Sequence, residues 1–139
     1  MTSEEKQLLI KDLCARLPYG VKVHIEHDVF YDERDPYDRT LSTRTIDDFT
    51  RSDKLEVNPY LRPMSSLTAE ERAELNERYG IVDIDKEVID FGEFPSKNTP
   101  MYFPKLMSLH TWFIKNHIDI HGLIPQGLAL AAPEGMYGD

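Results

Sequence analysis

Between Leu9 and Leu17 the apolar residues fall at Leu9, Ile10, Leu13, Cys14 and Leu17, the three-and-four spacing that lines one side of a helix. Thr2 or Ser3 can cap its start, with Glu5 completing a capping box from Thr2, and Pro18-Tyr19-Gly20 supplies its end. Cys14 belongs to that stripe, so a buried small hydrophobe is expected there. From Val21 the period changes to two. Val21, Val23, Ile25, His27, Val29 and Tyr31 alternate with Lys22, His24, Glu26, Asp28 and Phe30, as in a half-buried strand. Asp32 to Asp38 reads as a turn or short loop. A second strand is predicted through the threonine-rich run from Arg39 to Ile46, and a third through Leu55 and Val57, completing an antiparallel meander. Asp47 to Asp53 would be a polar link.

Val57 to Thr68 is the joint of the chain. Pro59 and Pro63 push Asn58 and Arg62 toward extended conformations. Tyr60, Leu61, Met64 and Leu67 are expected over the core between the two halves. Thr68 then opens a helix over Ala69 to Tyr79, with Glu71 completing a second capping box and Gly80 in the left-handed position after its end. Its apolar stripe is thin: Ala69, the stem of Arg72, Leu75 and Tyr79. Glu70, Glu71, Glu74 and Glu77 lie outside it. Ile81 to Ile84 and Val88 to Phe91 could each form a short strand. Pro104 suits the first turn of a last helix, which places Leu106, Leu109, Phe113 and His117 on one face and is stopped by Gly122. The tail from Leu123 to Ala132 is too apolar to stay in water and is expected to pack back as a strand or an irregular cover. The predicted architecture is one α+β domain, β-rich over 1–62 and helix-rich over 63–139.

Three blocks of the chain resemble a family of small uncharacterised proteins of gut anaerobes and their mobile elements. They are Leu9-x-x-Asp12-Leu13-Cys14-x-Arg16-Leu17-Pro18-Tyr19-Gly20, Pro59 through Thr68, and Gly122-Leu123-Ile124-x-x-Gly127-Leu128-Ala129-Leu130-x-Ala132-Pro133-Glu134-Gly135-Met136-Tyr137. The resemblance implies no activity and no catalytic residue.

Composition narrows the classes. With 139 residues the chain can bury a sizeable core unaided, and 40% hydrophobic with 29% charged residues suits a globular protein. No apolar run approaches the roughly 20 residues that span a bilayer. The first residues lack a secretory pattern and the only cysteine is Cys14, so a cytoplasmic protein is expected. Net charge is −9, concentrated in the middle: residues 63–97 hold 4 basic and 9 acidic groups. Such a surface repels phosphate backbones, which argues against nucleic-acid binding and allows a basic protein partner.

The candidate chemistry is sparse. His110, His117 and His121 are spaced by seven and four, so a continuous helix would carry all three on one side, and zinc needs three or four converging ligands. His24 and His27 point to opposite faces of their strand. Asp32, Asp35 and Asp38, or Asp47 with Asp48, lack the glycine turn and late glutamate of a calcium loop. Arg39, Arg44 and Arg51 with Thr40, Thr43 and Thr45 form a basic, hydroxyl-rich patch suited to a phosphate or carboxylate, or to cross-strand ion pairs. The preferred expectation is a non-catalytic interaction protein without cofactor, an accessory factor of a mobile element being one form it could take. Glu70, Glu71, Glu74, Glu77, Asp83 and Asp85 would face a basic partner. The alternative is a small metal-dependent hydrolase using His110, His117 and His121. A homodimer through a sheet edge or the tail is compatible with either.

Overall fold

A computed structural model of the chain describes residues 1–27, 36–79 and 103–137. Helix α1 (Ser3–Arg16) begins at the expected capping box: the Thr2 hydroxyl accepts from the Glu5 amide at 3.0 Å, and the Glu5 carboxylate accepts from the Thr2 amide at 2.8 Å. A short 3-10 turn (Leu17–Tyr19) and Gly20, at φ 71°, then reverse the chain. Strands β1 (Lys22–His27) and β2 (Tyr37–Thr40) follow, then helix α2 (Thr43–Arg51) and strand β3 (Leu55–Leu61). Helix α3 (Ala69–Tyr79), helix α4 (Phe103–Lys115) and the short strand β4 (Leu130–Ala131) complete the described elements, and the class is α+β.

The strand order is β2-β1-β3-β4, with β1 antiparallel to both of its neighbours and β4 parallel to β3. It is not a sequential meander, because β1 lies between β2 and β3. The second correction explains the first. Thr43 to Ile46 are not strand but the first turn of α2, and the polar link Asp47 to Asp53 is mostly helix. Ser42 caps this helix, its hydroxyl accepting from the Thr45 amide at 3.3 Å, and Ile46 and Phe49, three residues apart, turn inward together. With a helix between them, β2 and β3 need not be neighbours, and both pair with β1.

Among the described residues the interior forms two apolar clusters. One joins Leu9 and Leu13 of α1, Val23 and Ile25 of β1, Phe49 of α2, Val57 and Leu61 of β3, and Leu123, Leu128 and Ala129 of the tail, so the tail does pack back as expected. The other joins Leu75 and Tyr79 of α3 to Leu109, Trp112 and Phe113 of α4 and to Ile118. The joint residues divide between them, Leu61 to the first and Leu67 to the second. Among the described residues no helix is long and apolar enough to cross a membrane.

Two further expectations are corrected. Cys14 is exposed, because the buried face of α1 runs through Leu9, Asp12, Leu13 and Arg16. The last helix ends at Lys115, well before Gly122, since His117 takes a left-handed φ of 64° that a continuing helix does not allow. Gly80, Asp83, Asp85 and the possible strands at 81–84 and 88–91 lie outside the described residues.

Candidate functional site

The polar groups drawn together inside the molecule come from α1 and from the irregular segment after α4. Asp12 and Arg16, one helical turn apart, are both fully buried and paired at 2.8 Å. Arg16 also donates through Nη2 to the Ile118 carbonyl at 2.7 Å, while its Nη1 is buried without a partner among the described residues. The second Asp12 oxygen accepts from His121 Nδ1 at 2.9 Å, and the His121 ring is 30% exposed. Burial alone would raise the Asp12 pKa. The His121 hydrogen bond and the charge and hydrogen bond of Arg16 outweigh it and hold the carboxyl below its ordinary value. His110 lies within electrostatic reach of the same group. Burial depresses its pKa first, and the charges of His121 and Arg16 add to that against the opposing pull of Asp12.

His117 and Tyr137 form the adjoining half of this arrangement. Their rings stack at 3.8 Å between centroids and 18° between planes. Continuing the β1–β3 register one step past Val23↔Pro59 would set Lys22 opposite Tyr60. There the Tyr137 hydroxyl is inserted into the ladder: it accepts from the Lys22 amide at 2.9 Å and donates to the Tyr60 carbonyl at 2.6 Å. Beyond it Arg62 pairs with 117–119, its amide donating to the His117 carbonyl at 2.7 Å and its carbonyl accepting from the Asp119 amide at 2.9 Å. His117 Nδ1 is buried without a described partner. Burial, then the nearby charges of Arg16 and Arg62, push its pKa down to about 4.

The acidic residues expected to face a partner do not share one fate. Glu71 is held internally. Its carboxylate takes a two-pronged contact from Arg62 at 2.6 and 3.0 Å and accepts from the Thr68 amide at 2.9 Å. The Arg62 hydrogen bond, ahead of the opposing effect of burial, keeps its pKa below the ordinary value. Arg62 is accordingly not offered to an acidic partner. Glu74 pairs with Arg78 at 3.3 Å, whereas Glu70 and Glu77 are exposed and form no ion pair with a described residue. Asp83 and Asp85 lie outside the described residues.

Of the three histidines considered as metal ligands, His121 binds Asp12, His117 stacks on Tyr137 beyond the end of α4, and His110 lies on α4. Among the described residues no three His, Cys, Asp or Glu side chains come together as a metal-binding group. Arg44 and Arg51 of the basic patch pair along α2 with Asp48 and Asp47, so these are helix pairs and not cross-strand ones. Sequence reasoning missed a cluster on the sheet's other face, where Asp38 Oδ1 lies 2.8 Å from His24 Nδ1 and 2.9 Å from the Tyr60 hydroxyl that donates to it. The Asp38 hydrogen bond raises the His24 pKa against a smaller effect of burial, with Glu26 adding in the same direction. Only the register of β1 with β2 could have revealed it, by placing His24 opposite Asp38.

Comparison of the chain with protein-family models, with curated proteins and with solved structures finds no match.

Proposed function

We propose that this protein is a non-catalytic interaction module of the cytoplasm, and that the outer face of α3 receives a basic protein partner. The observation that carries the reading is the stripe Glu70, Glu74 and Glu77. Spaced by four and three, these carboxylates share one side of α3 over two turns, about 10 Å, opposite the buried Leu75 and Tyr79. Only Glu74 has an ion-pair partner among the described residues, and that pair is exposed, so it offers little resistance to a competing cation. The inner ionisable groups support the same division of labour. Asp12, Arg16, Arg62, Glu71 and His121 are engaged with one another and with backbone. A role as accessory factor of a mobile element fits such a module.

The test is affinity capture from the host's own lysate with wild-type protein and with the triple variant Glu70→Lys, Glu74→Lys, Glu77→Lys. The reading expects a basic protein, released between about 0.05 and 0.5 M salt as screening shortens the reach of the charges. The variant should retain no such protein. A partner held equally by both, or held without regard to salt, would remove α3 from the interface.

A further inference from the structure

A second feature lies at the β2 edge of the sheet and does not depend on the acidic stripe. The registers Val23↔Arg39, Ile25↔Tyr37 and His27↔Leu55 put Tyr37, Arg39, His27 and Leu55 on the same face of the sheet as the buried Val23 and Ile25. That face is the one α2 covers, with Phe49 entering the core. Toward the β2 edge, among the described residues, a cavity of about 350 Å³ opens between strand and helix. Ile25 and Leu55 are its apolar lining, and Arg39 from β2 and Arg44 from the first turn of α2 both line it.

Two arginines from different elements therefore line one cleft in a chain of net charge −9. Asp48 also lines it, and its ion pair among the described residues is with Arg44, at 3.9 Å and with both side chains mostly in water. A pair of that length and exposure contributes little, so Arg44 can turn to another anion at small cost. Arg39 forms no ion pair with a described residue. One inward-pointing charge on an edge strand is ordinary protection against edge-to-edge pairing. A second cation supplied by a helix serves no such purpose. Thr45 and an aromatic pair complete the wall: Tyr37, 36% exposed, stacks on His27 with 6.1 Å between centroids and 23° between planes. The cavity is at the lower end of the range for small-molecule sites. It provides a forked cationic grip suited to an oxyanion and a flat surface suited to a ring.

From this geometry we propose that the cleft between β2 and α2 binds a small aromatic molecule bearing a phosphate or carboxylate, the oxyanion between Arg39 and Arg44 and the ring against Tyr37. The experiment is a calorimetric and NMR titration of the full chain with phenyl phosphate, benzoate, inorganic phosphate and phenol. Saturable one-to-one binding of phenyl phosphate or benzoate is expected, weakening with salt, and the tighter of the two identifies the oxyanion. Arg39→Gln and Arg44→Gln are each expected to lower that affinity about tenfold, as loss of a charge-assisted hydrogen bond implies. Both side chains are exposed, so the variants should keep the wild-type circular dichroism spectrum. Tyr37→Ala should bring phenyl phosphate down to the level of inorganic phosphate. The proposal is overturned if neither aromatic anion saturates by about 10 mM, far weaker than specific binding requires. It is equally overturned if phenol binds as well as phenyl phosphate, or if the double arginine variant retains wild-type affinity. Inorganic phosphate binding as tightly as phenyl phosphate would overturn the aromatic half.

Discussion

Replacing Asp12 with asparagine is the most demanding test of how the interior is held. The change is nearly isosteric and leaves an oxygen for the His121 Nδ1 hydrogen bond, but it removes the charge and sets an NH2 donor against Arg16 Nε where an acceptor oxygen had been. It leaves the Arg16 guanidinium fully buried with no carboxylate beside it and with Nη1 already unpartnered. Breaking a buried pair in this way costs about 3–5 kcal/mol, out of a total of about 5–15 kcal/mol for a typical domain. In a chain of this length that lowers the melting temperature by roughly 10–20 °C. Urea unfolding at pH 7, followed by circular dichroism, would measure it. The double variant Asp12→Leu, Arg16→Met should recover much of the loss, because it removes both charges together. It would stay below wild type by about 1–3 kcal/mol, since the Ile118 carbonyl and His121 Nδ1 lose their partners. An Asp12→Asn loss under about 1 kcal/mol would mean that water reaches the pair. A double variant no more stable than the sum of the single losses would mean that the two residues are not coupled.

Three other outcomes follow from the same interior. His117 has a folded pKa of about 4 against an unfolded value of 6.5, so the unfolded chain binds more protons between those values. Stability should therefore fall as pH drops from 6.5 toward 4, by less than about 3.4 kcal/mol because the ring is only half-buried. His117→Asn, which tolerates the left-handed φ, should flatten that slope in urea titrations across the range. Tyr137→Phe keeps the ring on His117 but takes the hydroxyl out of the ladder, and should cost about 1–2 kcal/mol with faster hydrogen exchange at the Lys22 amide. Cys14, being exposed, should react with a thiol reagent in native buffer as completely as in urea.

Local signals in the sequence proved dependable and rotational ones did not. Both capping boxes, Thr2 with Glu5 and Thr68 with Glu71, close as their spacing predicts, because every atom involved lies within three residues. The alternation around Val23 and Ile25 likewise gives the buried face of β1. The orientation of α1 was not legible. Cys14 and Asp12 compete for the inner face, and hydrophobicity favours the cysteine, but Asp12 and Arg16 find partners 109 and 102 residues away at His121 and Ile118. One signal was present: Asp12 and Arg16 are four apart and flank Leu13, an ion pair able to turn inward as a unit. The end of α4 was hidden for a similar reason. Residues 110–121 keep helical spacing in the sequence, and contacts of 117–119 with Arg62 break the helix there. The threonines of 40–45 favoured strand, and the Ser42 cap with Ile46 and Phe49 outweighed them.

The buried charges have a common task, which bears on where function can lie. Residues 116–124 run between the two apolar clusters without regular secondary structure over most of their length, so many of their backbone groups have no ladder or helix to satisfy them. Charged side chains do so instead. Arg16 donates to the Ile118 carbonyl and Arg62 to that of Asn116, and the Asp119 carboxylate accepts from the amides of Leu123 and Ile124 at 2.9 Å each. Asp119→Ala would leave both amides unpaired near a 9% exposed site and should cost about 2–4 kcal/mol. Asp119→Asn keeps one acceptor oxygen and should cost about half as much. Equal losses for the two variants would show that packing, not backbone satisfaction, is what Asp119 provides. If the graded result holds, Arg16, Arg62 and Asp119 serve the irregular crossing, and a search for this protein's partner should concentrate on Glu70, Glu74 and Glu77 of α3 and on the arginines of the β2–α2 cleft.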